Sequence, residues 1–542
     1  ASLSLAFKHR ACRICGQYDV VVHVLNKRFN GSSVKPVNSK NRLSTAREKW
    51  QSVIGLEIHA QINSTSKLFS GSGTVYGAST NTQVSFFDAA LPGTLPVLNR
   101  ECVQAGVLTA LALGCDINLV SKFDRKHYFY ADMPAGYQIT QQRQPLAVNG
   151  HVTYVYQSSS NNHVERRSAR LVQIQLEQDS GKSLHDGDQM LSLIDLNRAG
   201  VGLMEIITAP VFTDGDDASS FVRDLRDILV TIDTCNGKMA EGALRVDANI
   251  SVNRPGEALG TRTEVKNLNS LRSIRHAIEY EIDRQIQVLE SGGVIENETR
   301  SFDIEEGETV LMRDKEKVLD YRFMPEPNLP PLIIHTNSSS ISSCLSPSHI
   351  VVLEDVQARM KELPDTKRQM LENVYGLTLL NALLIVRADL VDTFEALVKD
   401  YGCDPKDTCR LLKNIYSSFL RDSKTHHSES PISKEKLAEI ISFLGRKDIS
   451  GDTVIKVFNE IAVNSQRSCR EIIEEHNLWS IKDPSVIMAS IDGVLSRNPK
   501  AIKAYKKGKT NQLDIFHEKV LKDLKGKVDS DTVRQMIREK LN

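Results

Sequence analysis

Carboxylates, amides and an imidazole recur at every second position in three stretches of this 542-residue chain. In Val53-Ile54-Gly55-Leu56-Glu57-Ile58-His59-Ala60-Gln61-Ile62, the apolar Ile54, Leu56, Ile58 and Ile62 alternate with Glu57, His59 and Gln61. In Leu171 to Asp179, Val172, Ile174 and Leu176 alternate with Gln173, Gln175, Glu177 and Asp179, and in Arg245 to Val252 the polar set is Arg245, Asp247, Asn249 and Ser251. Such a set suits a hard divalent cation and the phosphates it carries. Magnesium takes a few carboxylates together with water and phosphate oxygens, and phosphoryl transfer rests on positioning and on neutralising charge. Glu57, His59, Glu177, Asp179, Glu205, Asp247 and Asn249 are the candidate ligands; Arg245, Arg262, Lys266 and Arg322 are the candidate partners for phosphate oxygens.

Period-two alternation calls for strands, in which successive side chains point to opposite faces. Each stretch then buries one face and gathers its polar groups on the other. A one-sided antiparallel sheet whose polar face is only solvated has the same pattern, and the residues alone leave both readings open. Helices are expected between the strands. Asn99 caps a stripe carried by Val103, Val107 and Leu111 and stopped at Gly114, and Asn269-Ser270 opens another through Leu271, Ile274, Ile278, Ile282 and Leu289 to Gly292-Gly293. Strands bracketing long helices without regular βαβ alternation predict an α+β fold.

The length predicts two to four domains. A Ser-rich stretch from His335 to Ser343 reads as a linker, beyond which the pattern turns helical, with Leu363-Pro364-Asp365 as a helix start. From about 474 the chain carries Lys506-Lys507-Gly508-Lys509 and a helix bearing Lys519, Lys522, Lys525 and Lys527, a clustering that suits a polyanion or a solvated helix face. Formal net charge is zero. The first fifty residues are nevertheless basic, with ten Lys and Arg against Asp19 and Glu48, which predicts an organellar transit segment over 1–49. Nine cysteines in so long a chain make no disulfide framework, and Cys12-x-x-Cys15 has no second pair at zinc spacing. The near-apolar run Leu377 to Val386 is far shorter than a membrane span, so no membrane insertion is expected.

Familiar nucleotide signatures fail. Gly181-Lys182-Ser183 resembles the end of a P-loop, but Leu176 stands where the opening glycine belongs. Gly71-Ser72-Gly73 followed by Gly77 misses the dinucleotide fingerprint by one residue. No G-x-S-x-G elbow is present, which weakens a hydrolase reading.

Six blocks, in order, carry a resemblance: Val53 to Gln61 (VIGLEIHAQ), Ser121 to Gln138 (SKFDRKHYFYADMPAGYQ), Ser192 to Glu205 (SLIDLNRAGVGLME), Glu241 to Ser251 (EGALRVDANIS), Thr263 to Ser270 (TEVKNLNS) and Asp320 to Pro327 (DYRFMPEP). They resemble the GatB family of tRNA-dependent amidotransferases, from about residue 50 to the C-terminus. The resemblance implies a component of a carbon–nitrogen ligase that binds Glu-tRNA(Gln), uses ATP and Mg2+ to phosphorylate the γ-carboxyl of the glutamyl group, and lets ammonia displace the phosphate. It implies a glutaminase-type GatA partner that supplies ammonia through a channel, a small GatC partner, and, with the basic leader, the mitochondrial matrix. It also implies a catalytic cradle over 50–335 resembling the glutamine synthetase and guanido-kinase fold, a linker and helical domain over 336–473, and a YqeY-like tail over 474–542 that touches tRNA.

Carried over by motif, Glu57, His59, Glu177 and Glu205 are the expected metal and catalytic residues, and Asp179, Asp247 and Asn249 are weaker members. Arg245, Lys266 and Arg322 are the expected cofactor-binding cations. Lys126, Tyr128, Tyr130 and Tyr137 fall in the longest block, where they would orient the acceptor end or line the ammonia path, core packing being the alternative for the tyrosines. Two departures stand out. A family zinc pattern, C-x-C then C-x-x-C, aligns with Ser70, Ser72, Ser85 and Asp88, whose hydroxyls do not replace thiolates; no zinc is expected, and packing around Leu91-Pro92-Gly93 is expected to hold that loop. Gln178 replaces a frequent glutamate, on the opposite face from Glu177. Two alternatives remain: a tRNA-holding scaffold without the kinase step, and amidation of Asp-tRNA(Asn), which differs by one methylene.

Overall fold

The alternating segments lie within a set of five adjacent antiparallel strands. In the computed structural model, which describes residues 47–161, 163–187, 189–312, 322–340, 350–506 and 512–541, these are β1 (Gln51–Gln61), β2 (Val164–Gln178), β3 (Gly202–Thr208), β4 (Leu244–Asn253) and β5 (Thr263–Leu268). Their spatial order is β2-β3-β1-β4-β5 within a ten-stranded sheet, antiparallel except where Thr299–Asp303 runs parallel to β5. Residues 1–50 form a separate unit, described only at 47–50, so the expected leader lies almost wholly outside the described residues.

The apolar face is closed by helices. Ile54, Leu56, Ile58 and Ala60 of β1 and Val246, Ala248 and Ile250 of β4 are fully or almost fully buried. Helix α1 (Arg100–Ala112) begins where Asn99 accepts from the Glu101 amide, and Gly114 follows its end at φ +63°. Helix α2 (Gly215–Thr231) is capped by Asp214, and α3 (Leu271–Glu290) by Ser270, whose side chain accepts from the Ser273 amide. Ile274, Ile278 and Ile282 are buried along one stripe of α3, each contributing about 1.5–3 kcal/mol of apolar burial. α1 lies so close to the sheet that a Cβ at Gly106 would stand 2.7 Å from a Leu146 methyl. Any larger residue there requires the Leu146 and Leu176 side chains to shift.

One alternation is interrupted. Val172, expected in the core with Ile174 and Leu176, is 41 % exposed, whereas Leu171 is buried. The pairing of β2 with β3 slips here, Ile207 facing Gln173 while Thr208 faces Leu171. The extra residue of this bulge reverses the parity on its N-terminal side.

Sheet structure continues past residue 335, since Leu332–His335 pairs in parallel with Val351–Val352 and the turn Ser338–Ser340 lies between them; 341–349 fall outside the described residues. Helices α4 (Pro364–Tyr375), with Pro364 in its first turn as expected, and α5 (Leu379–Arg387) open a helical region. From the apolar run at 377–386, Leu377, Ala382 and Ile385 enter the core of this region while Leu384 is exposed, and no described helix is long and apolar enough to cross a membrane. Its core extends to Leu478, and a second core runs from Ile487 to Leu541. Position 474, the expected start of the tail, lies inside the helix Cys469–Glu475, and Leu478 belongs to the first core with Trp479 packed against it.

The lysine-bearing tail helix also ends earlier than expected. Gln512–Asp523 carries Lys519 and Lys522, while Lys525 lies beyond it at φ +54° and the Lys527 carbonyl accepts from the Ile481 amide at 2.7 Å. Lys507 and Lys509 are outside the described residues.

Charged contacts dock the helical region on the sheet region. Asp224 of α2, 1 % exposed, accepts from the Val155 amide at 2.9 Å and pairs with Arg368 of α4 at 3.0 Å and Arg387 of α5 at 2.9 Å.

Candidate active site

Register gathers the alternating polar groups on one face. His59 sits opposite Glu205 of β3 and Arg245 of β4; Glu57 sits opposite Asp247, and Gly55 opposite Asn249. Across β3, Leu203 faces Glu177 and Glu205 faces Gln175. The polar face is thus contiguous over β2, β3, β1 and β4, with Glu264 of β5 beside Asn249.

Within this face, ligand atoms of His59, Glu177 and Glu205 all lie within 4.8 Å of one another. The two carboxylates are buried and the imidazole is partly open, its Nε2 standing 3.9 Å from Glu205 Oε1. Gln175 Nε2 donates to Glu205 Oε2 at 2.5 Å, and Lys126 Nζ stands 3.4 Å from Glu177 Oε1. Burial together with the charge of Glu177 pushes the Glu205 carboxyl well above the usual carboxylate range. Burial also opposes ionisation of Glu177, but Lys126 and His59 outweigh it and hold that group below its ordinary value. The two neighbouring carboxyls are thus pushed in opposite directions.

The donor set fits a divalent cation. Glu177 Oε2 is buried and accepts no hydrogen bond from the other groups of the protein. A proton on Glu205 or a cation is what that oxygen lacks. Two carboxylates and one imidazole leave coordination positions open for phosphate oxygens, a set that suits Mg2+ or Mn2+.

The remaining expected residues divide. Glu57 stands outside the three-residue cluster, its Oε1 accepting from Asn249 Nδ2 at 3.0 Å. Asp179 is also outside it. Beyond the end of β2, both its oxygens receive Arg245, at 2.9 and 3.0 Å, one accepts from Gln61 Nε2 at 2.9 Å, and Arg198 lies 3.7 Å away. Burial works against the Asp179 charge, and Arg245 and Arg198 more than offset it, so its carboxyl titrates below the usual range. Asp179 and Arg245 thus neutralise each other as a fixed pair, which takes Arg245 out of the set of uncompensated cations. Asp247 Oδ1 accepts from the Asn267 amide at 2.8 Å. Lys266 lies 3.7 Å from Glu264, and Arg322 is exposed at the edge, its carbonyl accepting from the His127 amide at 3.1 Å.

The hairpin of Asp124–His127 and Tyr137–Thr140 brings Lys126 to the cluster. Arg125, bonded to Glu326 at 2.6 and 3.0 Å, lies over the Tyr137 ring, and Tyr128 packs on Tyr130 with ring centres 4.6 Å apart. Neither Tyr128 nor Tyr130 is buried in the core. Alternation singled out neither Arg198 nor Lys126; their only sequence signal is membership of the matching blocks.

Gln178 Oε1 accepts from the Ile139 amide at 3.0 Å and takes no part in the cluster. The loop at Ser70, Ser72, Ser85 and Asp88 is held differently from the expected packing. Leu91, Pro92 and Gly93 are exposed. Lys67, fully buried, donates instead to Asp88 Oδ2 at 3.1 Å and to the Leu196 carbonyl at 3.3 Å, and Ser70 Oγ and the Ser85 amide converge on the same carboxylate at 2.9–3.1 Å. An internal ammonium gathers here the chain segments that the packing was expected to hold.

Residues 52–340 match the family model of the GatB/GatE catalytic domain, and 392–541 match the GatB domain model. The chain belongs to the GatB family of tRNA-dependent amidotransferases. The mitochondrial GatB protein of glutamyl-tRNA(Gln) amidotransferase from Danio rerio is 47 % identical over 90 % of this chain and 88 % of its own length. The Homo sapiens protein of the same name is 44 % identical, covering 94 % and 91 %. The corresponding component of an aspartyl/glutamyl-tRNA(Asn/Gln) amidotransferase from Rickettsia typhi is 42 % identical over 91 % of this chain and 98 % of its own. As a GatB-family chain it is one component of a carbon–nitrogen ligase, and its sheet region and helical region follow one another as the two family models do.

Proposed function

We propose that this GatB-family chain carries the kinase and amidation site of a mitochondrial glutamyl-tRNA(Gln) amidotransferase, acting in the matrix with a glutaminase-type GatA partner and a small GatC partner. The supporting observation is the buried His59–Glu177–Glu205 cluster, with its unsatisfied Glu177 oxygen, at the centre of a sheet face. The relatives named above supply the substrate, Glu-tRNA(Gln), and the compartment.

A carboxylate resists attack by ammonia because its leaving group would be oxide. The γ-carboxylate of the tRNA-bound glutamate takes the γ-phosphoryl group of ATP, ADP leaves, and ammonia then displaces phosphate to give the amide. His59, Glu177 and Glu205 would hold a divalent cation, which would supply neutralisation of the phosphate oxygens. Lys126, beside Glu177, adds positive charge on the hairpin side, and Lys266 and Arg322 are the further cations proposed to meet nucleotide phosphates. Asp179 and Arg245 act as positioning residues that tie the end of β2 to β4. Glu57, held by Asn249, is a further ligand or orienting group. In this reading the sheet is the cradle of a glutamine synthetase-like site, and the helical tail carries tRNA.

A second substrate, Asp-tRNA(Asn), is favoured by one observation, the dual name of the Rickettsia relative. The test is amidation by the reconstituted complex with ammonium chloride in place of glutamine. His59→Ala is expected to lower Gln-tRNA(Gln) formation at least 100-fold, while glutaminase activity of the partner, assayed separately with glutamine, persists. Normal amidation by that variant would remove the reading, and comparison of Glu-tRNA(Gln) with Asp-tRNA(Asn) on the wild-type complex separates the two substrates.

A further inference from the structure

Between the first turns of α2 and α3 and the end of the strand His151–Gln157 lies a polar cavity of about 520 Å³. Three arginines line it, Arg223 from α2 and Arg272 and Arg275 from α3, together with Ser158, Ser159 and Ser219. A single carboxylate shares it, Asp216, which accepts from the Ser159 amide and hydroxyl at 2.8 Å and stands 3.8 Å from Arg275. None of these residues belongs to the His59–Glu177–Glu205 cluster.

The charge is not balanced from within. Arg223 donates to one neutral group, Gln157 Oε1, at 3.1 Å, and makes no ion pair among the described residues. Arg387 donates to the same Gln157 oxygen at 3.5 Å. Burial, and after it the like charge of Arg387, lowers the Arg223 pKa, although the nearby carboxylates Asp224 and Asp227 act in the opposite direction. Arg272 is exposed and makes neither a hydrogen bond nor an ion pair among the described residues. A partly buried guanidinium with one neutral acceptor is costly unless an anion completes it.

We propose that this cavity is a phosphate-binding site, in which Arg223, Arg272 and Arg275 take one phosphate group. The guanidinium fork matches phosphate oxygens in pairs, and the hydroxyls of Ser158, Ser159 and Ser219 add neutral donors. The amides that open α3 add a favourable dipole, a 20-residue helix beginning at the cavity wall. The volume admits a nucleotide phosphate with its sugar. The phosphate group comes either from the tRNA backbone, which rests on the function proposed above, or from a free phosphate compound, which does not.

The assembled complex tests this with two probes, inorganic tripolyphosphate without divalent cation and uncharged tRNA, on wild type, Arg272→Glu and Arg223→Lys. Arg272→Glu, at an exposed position, is expected to weaken tripolyphosphate binding at least tenfold and tRNA binding at least fivefold, with the salt slope of tRNA affinity smaller by about one. Arg223→Lys keeps the charge without the fork and is expected to weaken both by less. Loss of tripolyphosphate binding with tRNA affinity intact supports the site and identifies a free phosphate compound as its ligand. Wild-type affinities for both probes in both variants overturn the site. Failure of the wild-type complex to amidate Glu-tRNA(Gln), with tripolyphosphate still bound in an Arg272-dependent way, removes the proposed function and leaves the site standing.

Discussion

Arg245 presents its two terminal nitrogens to the two oxygens of Asp179, at 3.0 and 2.9 Å, just beyond the last residue of β2. Asp179 is 2 % exposed, so neither charge relies on water. The pair fixes the end of β2 against β4, the two strands that flank β3 and β1 in the platform. Asp179→Ala leaves a buried guanidinium without its counter-ion, a change that costs about 3–5 kcal/mol. The expected outcome is a lower urea midpoint, recovered in large part by Asp179→Leu combined with Arg245→Met; the double variant should still be impaired in amidation.

Lys67 and Asp88 behave in the same way in the loop that packs beside β3. Both side chains are at most 1 % exposed. Asp88→Ala is expected to destabilise by about 3–5 kcal/mol, and faster amide exchange should be concentrated in residues 66–97. Protection unchanged across that segment would mean that the ion pair does not hold it.

Docking of the helical region depends on Asp224, whose carboxylate meets two arginines. Asp224→Asn keeps the shape and one acceptor oxygen but removes the charge, leaving Arg368, 1 % exposed, without a full counter-ion. A loss of about 2–4 kcal/mol is expected, read as separation of the thermal transitions of the two regions. A single unshifted transition would contradict the docking role.

Acid stability should report Glu281. It is fully buried on α3, and although burial disfavours its charge, bonds from Arg284, Thr309, Gln285 and Thr263 hold its pKa below the ordinary value. A carboxyl depressed on folding contributes stability above its unfolded pKa of about 4.3, and that contribution is lost as pH falls through the folded value. Glu281→Gln should therefore lower stability at pH 7 and narrow the gap to wild type as pH falls below about 4.3. A gap constant from pH 7 to pH 3 would contradict this assignment.

Much of the platform was legible in the chain because period two is a local property. The faces of β1 and β4, the Asn99 and Ser270 caps and the Pro364 start follow from neighbours a few residues apart. What the sequence left open is set by contacts across long separations. The bulge that exposes Val172 arises from pairing with Thr208 and Ile207, and Asp179 stays apart from the His59–Glu177–Glu205 cluster because Arg245 and Arg198 claim its oxygens. Lys67 gave no signal, since its partner Asp88 lies 21 residues away in a loop without periodicity. Alternation named His59 and Glu177 as neighbours in kind, and Glu205 lay outside the alternating stretches; the pairing of β3 between β1 and β2 brought all three together in space.

The central claim is that His59, Glu177 and Glu205 hold the cation used in phosphorylation. Titration of Mn2+ into the purified chain, followed by electron paramagnetic resonance, tests it most directly. Wild type should bind Mn2+ with an affinity that Glu177→Gln weakens at least tenfold, while Glu57→Gln weakens it less. Equal affinity and stoichiometry in wild type and Glu177→Gln would contradict the claim.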